Sequence, residues 1–337
     1  MTALKTIVGQ EQPRKSLTVD FEHDRIAHAY LFYGPSGVGK KLTAKLFFRQ
    51  INGHKTDCDC SFCSKVEKET HPDFCIIRPG PKFITIRMVR DAQHFISLLP
   101  LESKVKMVIF DDAHELKTEA ANALLKTLEE PPDNNILVLI TSIPERLLLT
   151  ITSRCRKVPF NAIDPKTISS FLKENLGLSE KEAGLASKLS RGVFSKAINI
   201  STDKNFWKNR SKIIDIALKL LFAGLEERFN LAEDLYQFAR AQTEGVDKAY
   251  RQETLRSLVA DNLSIMQVVF RDVAIIKETG EDSLALNSDR LEEIKDSLAG
   301  IDSFNLVQYI EKIKDAKNKL KRNANVALLL QSLFLNL

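Results

Sequence analysis

The fold predicted from this sequence is a parallel-sheet α/β domain followed by purely helical segments, and three observations lead to it. Short apolar runs, Ala29-Tyr-Leu-Phe-Tyr33, Val105-Lys-Met-Val-Ile-Phe110 and Ile136-Leu-Val-Leu-Ile140, alternate with helical patterns over the first 160 residues. That alternation marks central strands buried on both faces and joined by helical crossovers. A glycine-rich turn links the first run to a helix. Beyond Pro159 strand-like runs largely vanish, and helical periodicity continues along the rest of the chain.

Taken in order, 29–33 is the first strand, and a helix begins near Lys40 after the glycine turn. The second strand, 105–110, leads to a helix over 118–130 that Pro131-Pro132 stops. After the third strand, 136–140, a further helical segment opens at 147–150. Residues 165–200 read as a small helical unit with a break at Gly192. From about Phe206 a longer helical region follows, with Ile213, Ile216 and Leu220, then Leu306, Ile310, Ile313 and Leu320, at helical spacing. Three domains are expected, over 1–160, 161–205 and 206–337, with no internal repeat.

Composition narrows the class. Apolar residues make up 44% of 337 and charged residues 28%, the balance of an ordinary globular protein. With 13 Gly and 11 Pro, collagen-like and low-complexity chains are excluded. The 49 Lys and Arg against 44 Asp and Glu leave +5, compatible with anionic partners but too small to argue for nucleic-acid binding alone. The longest strongly apolar stretch, 136–140, is far short of the roughly 20 residues of a membrane-spanning helix. The start of the sequence lacks the apolar core of a signal peptide, so a soluble cytoplasmic protein is expected.

Gly34-Pro35-Ser36-Gly37-Val38-Gly39-Lys40-Lys41 matches the P-loop pattern Gly-x4-Gly-Lys between a strand and a helix. Glycines there let backbone N–H groups curl around phosphate oxygens, and the helix N-terminus adds its positive end. Lys40 is placed to reach the outer phosphates. Lys41 stands where Ser or Thr normally offers a hydroxyl to Mg²⁺, which puts metal-assisted hydrolysis in doubt. Val108-Ile-Phe-Asp111-Asp112, an apolar strand ending in carboxylates, is a Walker B arrangement: Asp111 is the metal-holding position, and Asp112 stands where many ATPases have a longer Glu.

Cys58, Cys60 and Cys63 fall within six residues, a spacing that suits a metal better than a disulfide framework. Cys75 and Cys155 stand alone in or beside apolar runs and read as packing residues. Arg154, in Ile151-Thr-Ser-Arg-Cys-Arg156, reads by composition alone as a surface arginine. The Lys-rich stretch 312–322 lies on a strongly periodic helix and reads as a solvated polar face.

Several stretches together resemble the AAA+ clamp-loader ATPases, and within them the delta-prime subunits of bacterial DNA polymerase III. They are Ile7-Val-Gly-Gln10, Ala27-His-Ala-Tyr-Leu-Phe32, the P-loop, Thr70-His-Pro-Asp73 and Asp111-Asp-Ala-His114. Ala120-Ala-Asn-Ala-Leu-Leu-Lys-Thr-Leu-Glu-Glu-Pro-Pro132 is the most specific, and Ser153-Arg-Cys155 matches the family's SRC motif. Phe270-Arg-Asp272 with Leu286-Asn-Ser-Asp289 extends the likeness to the C-terminal region.

The resemblance implies a P-loop AAA+ domain, a helical lid and an all-α collar that oligomerises. It implies a hetero-oligomer with gamma or tau and delta subunits that loads the sliding clamp onto primer–template DNA. ATP is the expected nucleotide, with Val8, Thr141 at the sensor-1 position and Lys196 at the sensor-2 position near it. Relatives that hydrolyse ATP have Arg where this chain has Lys196. Arg154 would then act in trans on a neighbour's ATP. Family members carry four zinc-binding cysteines ahead of the Thr-His-Pro-Asp stretch. Aligned there, Cys63 and Cys60 match, Cys58 is one place off, and the fourth position falls near Phe48. Zinc is expected on the three thiolates with His54 or Asp57. The rival reading is a gamma- or tau-like active ATPase, against which Lys41, Asp112 and Lys196 speak.

Overall fold

β1 (Ala29–Tyr33) has a partner strand on each edge, and no residue in it carries a charge. In the computed structural model, which describes residues 3–55, 58–80, 83–203, 205–298 and 302–337, it belongs to a five-stranded sheet. The other strands are β2 (Phe74–Ile77), β3 (Lys106–Phe110), β4 (Asn135–Thr141) and β5 (Arg156–Pro159). All pair in parallel, in the order β2-β3-β4-β1-β5. Leu31 lies opposite Leu139 on one side and Lys157 on the other.

Successive side chains point to opposite faces. Tyr30, Phe32, Ile109, Val138 and Ile140 pack on one face against Leu17 of α1 (Glu11–Glu22), Phe47 and Phe48 of α2 (Lys40–Ile51), and Phe62 and Val66 of α3 (Ser61–Glu67). Leu31, Val108, Phe110, Leu137 and Leu139 pack on the other face against α4 (Ile86–Ser97) and α5 (Thr118–Glu129).

The structure adds two strands that the apolar runs do not reveal. β5 is an edge strand, so Arg156 and Lys157 stay in water and only Val158 is fully buried. β2 is the opposite edge and has only four residues. Cys155 is buried, whereas Cys75, in β2, is half-buried; both pack in the α4/α5 layer. A short helix, α6 (Leu149–Thr152), precedes β5.

Three helices follow: α7 (Pro165–Leu176), α8 (Glu180–Ser190) and α9 (Phe194–Thr202). Asp164 caps α7 by accepting the N–H groups of Lys166 and Thr167, and left-handed Gly177 ends it. Ser179 and Glu182 form a capping box on α8. The break expected at Gly192 separates α8 from α9.

The chain divides into two compact units, 1–201 and 202–337. The second is built from α10 (Phe206–Leu220), α11 (Leu225–Ala241), α12 (Lys248–Thr279), α13 (Leu291–Asp296), α14 (Ser303–Lys321) and α15 (Val326–Asn336). Leu306, Ile313 and Leu320 are buried faces of α14, while Lys314, Lys319, Lys321 and Arg322 stay exposed. Among the described residues no helix is long and apolar enough to cross a membrane.

Two stretches quoted above meet inside this unit. Asp272 is fully buried and accepts the N–H groups of Leu286 (3.0 Å) and Asn287 (2.8 Å), the Asn287 amide (2.8 Å) and Arg271 (2.8 Å). Asn287 in turn accepts from Arg210 of α10, whose guanidinium grips Asp289 with two bonds of 2.6 and 2.8 Å. Asp272→Ala strands these donors in a dry interior. It is expected to destabilise the chain by about 3 kcal/mol, read as a lower midpoint in denaturant. A loss below about 1 kcal/mol would mean that water takes over the donors.

Candidate functional site

Parallel strands present their carboxyl ends at one edge of the sheet, where open α/β folds bind ligands. β1 runs there into the turn 34–39, β3 into Asp111 and Asp112, and β4 ends at Thr141. Gly34 donates its N–H to the Thr141 carbonyl (3.3 Å), and at φ +138° a Cβ on it would sit 1.9 Å from the Phe160 carbonyl oxygen. Only glycine fits. At Gly37 (φ +77°) a Cβ would meet the Ser195 hydroxyl at 2.3 Å, while the Ser195 N–H donates to the Gly37 carbonyl at 3.0 Å. Gln10, buried, donates from Nε2 to the carbonyls of Asn161 (2.7 Å) and Val38 (3.3 Å). The turn is thus held by the segments on either side of it. Pro35 and Ser36 are exposed, Val38 is buried, Gly39 is the left-handed cap of α2, and Val8 is half-buried ahead of α1.

Lys40 is buried and donates from Nζ to the carbonyls of Gly34 and Pro35, both at 2.6 Å. Burial lowers its pKa to about 8, opposed by the carboxylates of Asp112 and Asp111. The charged form is therefore penalised on folding below about pH 8, and the penalty is relieved as pH rises from there towards 10.5. A phosphate ligand needs the ammonium. Its affinity is expected to fall as pH rises through about 8, measured by titrating ADP one pH unit either side. A flat profile would separate Lys40 from the phosphates.

Lys41 Nζ lies 2.8 Å from Asp111 Oδ2. Asp112 adopts a left-handed backbone (φ +50°), a conformation that Asp tolerates better than most residues. The Thr141 hydroxyl is buried between the Ile143 N–H (3.0 Å) and His114 Nδ1 (3.2 Å). Lys196 is exposed in the first turn of α9, next to the residue that bonds Gly37.

A second cluster lies between α2 and α3. His54, Cys58, Cys60 and Cys63 bring four ligand atoms within 4.8 Å of one another, with His54 Nδ1 3.4 Å from Cys60 Sγ and 3.7 Å from Cys58 Sγ. His54 stacks on Phe62 at 4.0 Å, and Arg49 bonds the Cys58 carbonyl at 3.2 Å. Burial, aided by Arg49, lowers the His54 pKa and keeps the imidazole neutral. The Cys63 N–H is the main cause that lowers the Cys60 thiol, whereas burial pushes Cys63 up to about 12. Three sulfurs and one imidazole nitrogen are a donor set that fits tetrahedral zinc. Asp57, the other candidate ligand, lies outside the described residues.

Arg154 lies elsewhere. Arg156 pairs with Tyr30, so β5 begins at the amino edge of the sheet and Arg154 precedes it by two residues. The glycine turn begins four residues past Tyr30, roughly 13 Å along the strand direction at ~3.3 Å per residue. Partly exposed, Arg154 pairs with Glu129 at the end of α5 (2.8 Å) and donates to the Thr150 carbonyl (3.0 Å).

A family model described as DNA polymerase III, delta subunit, matches residues 9–164. DNA polymerase III subunit delta' of Bacillus subtilis is 32% identical over 336 residues, 98% of this chain and 97% of that protein. The chain belongs to the DNA polymerase III delta-prime family. Subunit tau of Bacillus subtilis is 35% identical, but over 48% of this chain and 30% of its own length. A solved gamma-subunit-related protein from Thermotoga maritima covers 92% of this chain and all of its own at 19% identity and a TM-score of 0.42, a likeness too loose to locate any residue.

Within this delta-prime family chain several motif residues have plain structural work. In Ala120–Pro132, Ala120, Ala121, Leu124 and Leu128 are the buried face of α5. Asp73 accepts three N–H groups, from Leu101, Glu102 and Ser103 (2.7–2.9 Å), and so shapes the turn before β3. Burial alone would raise its pKa; those donors outweigh it and hold the carboxyl low. Gln10, His114, Glu129 and Ser195 are contacts that sequence reading missed. Gln10, His114 and Glu129 stand inside quoted motifs, but no local pattern announces their partners.

Proposed function

We propose that this chain is a delta-prime subunit of a bacterial DNA polymerase III clamp loader. It helps load the sliding clamp onto primer–template DNA, has little or no ATP hydrolysis of its own, and lends Arg154 to a neighbouring gamma or tau subunit. One observation carries the reading: Arg154 and the chain's own P-loop lie at opposite edges of one sheet. An arginine so placed serves a nucleotide only across a subunit boundary. A guanidinium from outside stabilises charge on the transferred phosphoryl oxygens, so the finger acts without any chemistry on its own chain. The whole-length match to a delta' protein, against part-length matches to tau and gamma proteins, supports the same choice.

The partners in this reading are gamma or tau, delta and the clamp, with DNA reached through the assembled hetero-oligomer in the cytoplasm. In the chain itself, residues 34–41 cradle nucleotide phosphates with backbone N–H groups and Lys40. His54, Cys58, Cys60 and Cys63 hold one structural zinc, which when bound supplies a cross-link between the end of α2 and the start of α3. Co-purification with gamma or tau and delta, followed by DNA-dependent ATPase measurements on the complex with and without this chain, tests the assignment. Unchanged hydrolysis when the chain is omitted would overturn it.

The convergence of Gly34–Lys40, Asp111 and Asp112 at one edge favours a second reading, a gamma- or tau-like active ATPase. The side chains around them argue against it, since Lys41 pairs with Asp111 and the Thr141 hydroxyl is committed to Ile143 and His114. Sustained Mg²⁺-dependent turnover by the isolated chain would reverse the order of the two.

A further inference from the structure

In P-loop ATPases a cation is shared between the hydroxyl after the P-loop lysine and the Walker B carboxylate. The donor set here does not fit that ion. Position 41 carries an ammonium, which has three donors and no lone pair to offer a metal. Its Nζ lies 2.8 Å from Asp111 Oδ2, on the carboxylate that would bind the cation. The nearest hydroxyl along α2, that of Thr43, is fully buried and donates to the Gly39 carbonyl at 2.9 Å. Mg²⁺ demands near-octahedral oxygen coordination. A divalent ion placed between Lys41 and Asp111 would meet like charge and would break the existing pair.

We propose that Lys41 is a built-in replacement for Mg²⁺, and that the P-loop takes the phosphates of a nucleotide as a metal-free anion. This rests on the reading of residues 34–41 as a phosphate cradle. The positive groups are two tethered ammoniums and the N–H groups of the turn and of the first turn of α2. Lys40 exchanges its bonds to the Gly34 and Pro35 carbonyls for a phosphate oxygen. Lys41 is partly exposed and stands beside Lys40 in the first turn of α2, where its head neutralises Asp111. Asp112, like Asp111, lies in the field of the Lys40 ammonium, so both carboxylates are balanced by tethered charge rather than by metal. The site therefore holds nucleotide phosphates without Mg²⁺ rather than cycling them.

The test is calorimetric titration of the full-length isolated chain with ADP, ATP and inorganic pyrophosphate, in excess EDTA and in excess Mg²⁺. The expected result is ADP binding in EDTA that Mg²⁺ does not improve, with pyrophosphate and ATP competing. Lys41→Thr restores the hydroxyl. It should lose about tenfold in ADP affinity in EDTA, because Asp111 is then an unpaired carboxylate beside the phosphates, and recover it when Mg²⁺ is added. Because Lys41 is partly exposed, this variant should unfold at the same temperature as the parent, which separates a binding effect from misfolding. Absence of ADP binding in both media, binding only with Mg²⁺, or a Lys41→Thr protein still indifferent to metal would each overturn the proposal. Arg154 takes no part in this measurement. Failure here leaves the trans reading standing, and failure of the trans reading leaves this one.

Discussion

Arg154→Ala is expected to leave the subunit folded, assembled and able to bind its own ligands, yet to cut DNA-stimulated ATP hydrolysis by the complex. The side chain is partly exposed, and its pair with Glu129 is a surface salt bridge worth at most about 1 kcal/mol, so the fold should not register the change. The loss at the one site that receives the finger should be large, since arginine fingers contribute about 10³–10⁵ in turnover in simple GTPases. A complex with several ATP sites would lose only that site's share, and clamp loading would fall with it. Lysine should rescue poorly, because a point charge does not reproduce the planar fork. Wild-type rates of hydrolysis and loading in the mutant complex would reduce Arg154 to the surface residue that composition alone suggests.

The second large effect concerns the cluster at His54. Protein purified without chelator should carry about one zinc per chain, the stoichiometry of one tetrahedral site. Cys63→Ser should abolish retention and lower the thermal midpoint by roughly 5–10 °C, the equivalent of about 2–3 kcal/mol in a unit of this size. His54→Cys should keep the metal, because four thiolates are also a zinc site, whereas His54→Ala should lose it. In metal-free protein burial holds the Cys63 thiol up at about 12, so zinc must displace its proton. Affinity should therefore rise with pH across the neutral range. Three freely titratable thiols together with unchanged stability after chelation would sink the assignment.

Much of this molecule is legible in short stretches of sequence because the physics there is local. Short, mostly apolar runs that alternate with helical patterns mark strands buried on both faces, and β1, β3 and β4 are such strands. Gly34 and Gly37 stand where the backbone turns left-handed against a neighbour, and glycine alone allows it. The carboxylate pair after β3 and the cysteines at 58, 60 and 63 were likewise apparent from spacing. Edge strands escaped that reading. β5 faces water on one side and so carries Arg156 and Lys157, and nothing in Arg-Lys-Val-Pro distinguishes it from a loop.

What the sequence could not decide is which distant groups meet. Lys41 and Asp111 are 70 residues apart, and their contact exists because β4 lies between β1 and β3 and all run in parallel. The same order separates Arg154 from the glycine turn: β5 pairs directly with β1, but it starts at the amino edge while the turn leaves from the carboxyl edge. Gln10 reaches Asn161 across 151 residues, and Ser195 closes on Gly37 from the start of α9. His54 stands beside the three thiols because Arg49 and Phe62 hold the loop after α2 against α3, not because of any cysteine-like spacing. Composition and periodicity act over a few residues and determine elements and turns. Strand order and crossover direction act over the whole sheet, and they alone determine which charges become neighbours.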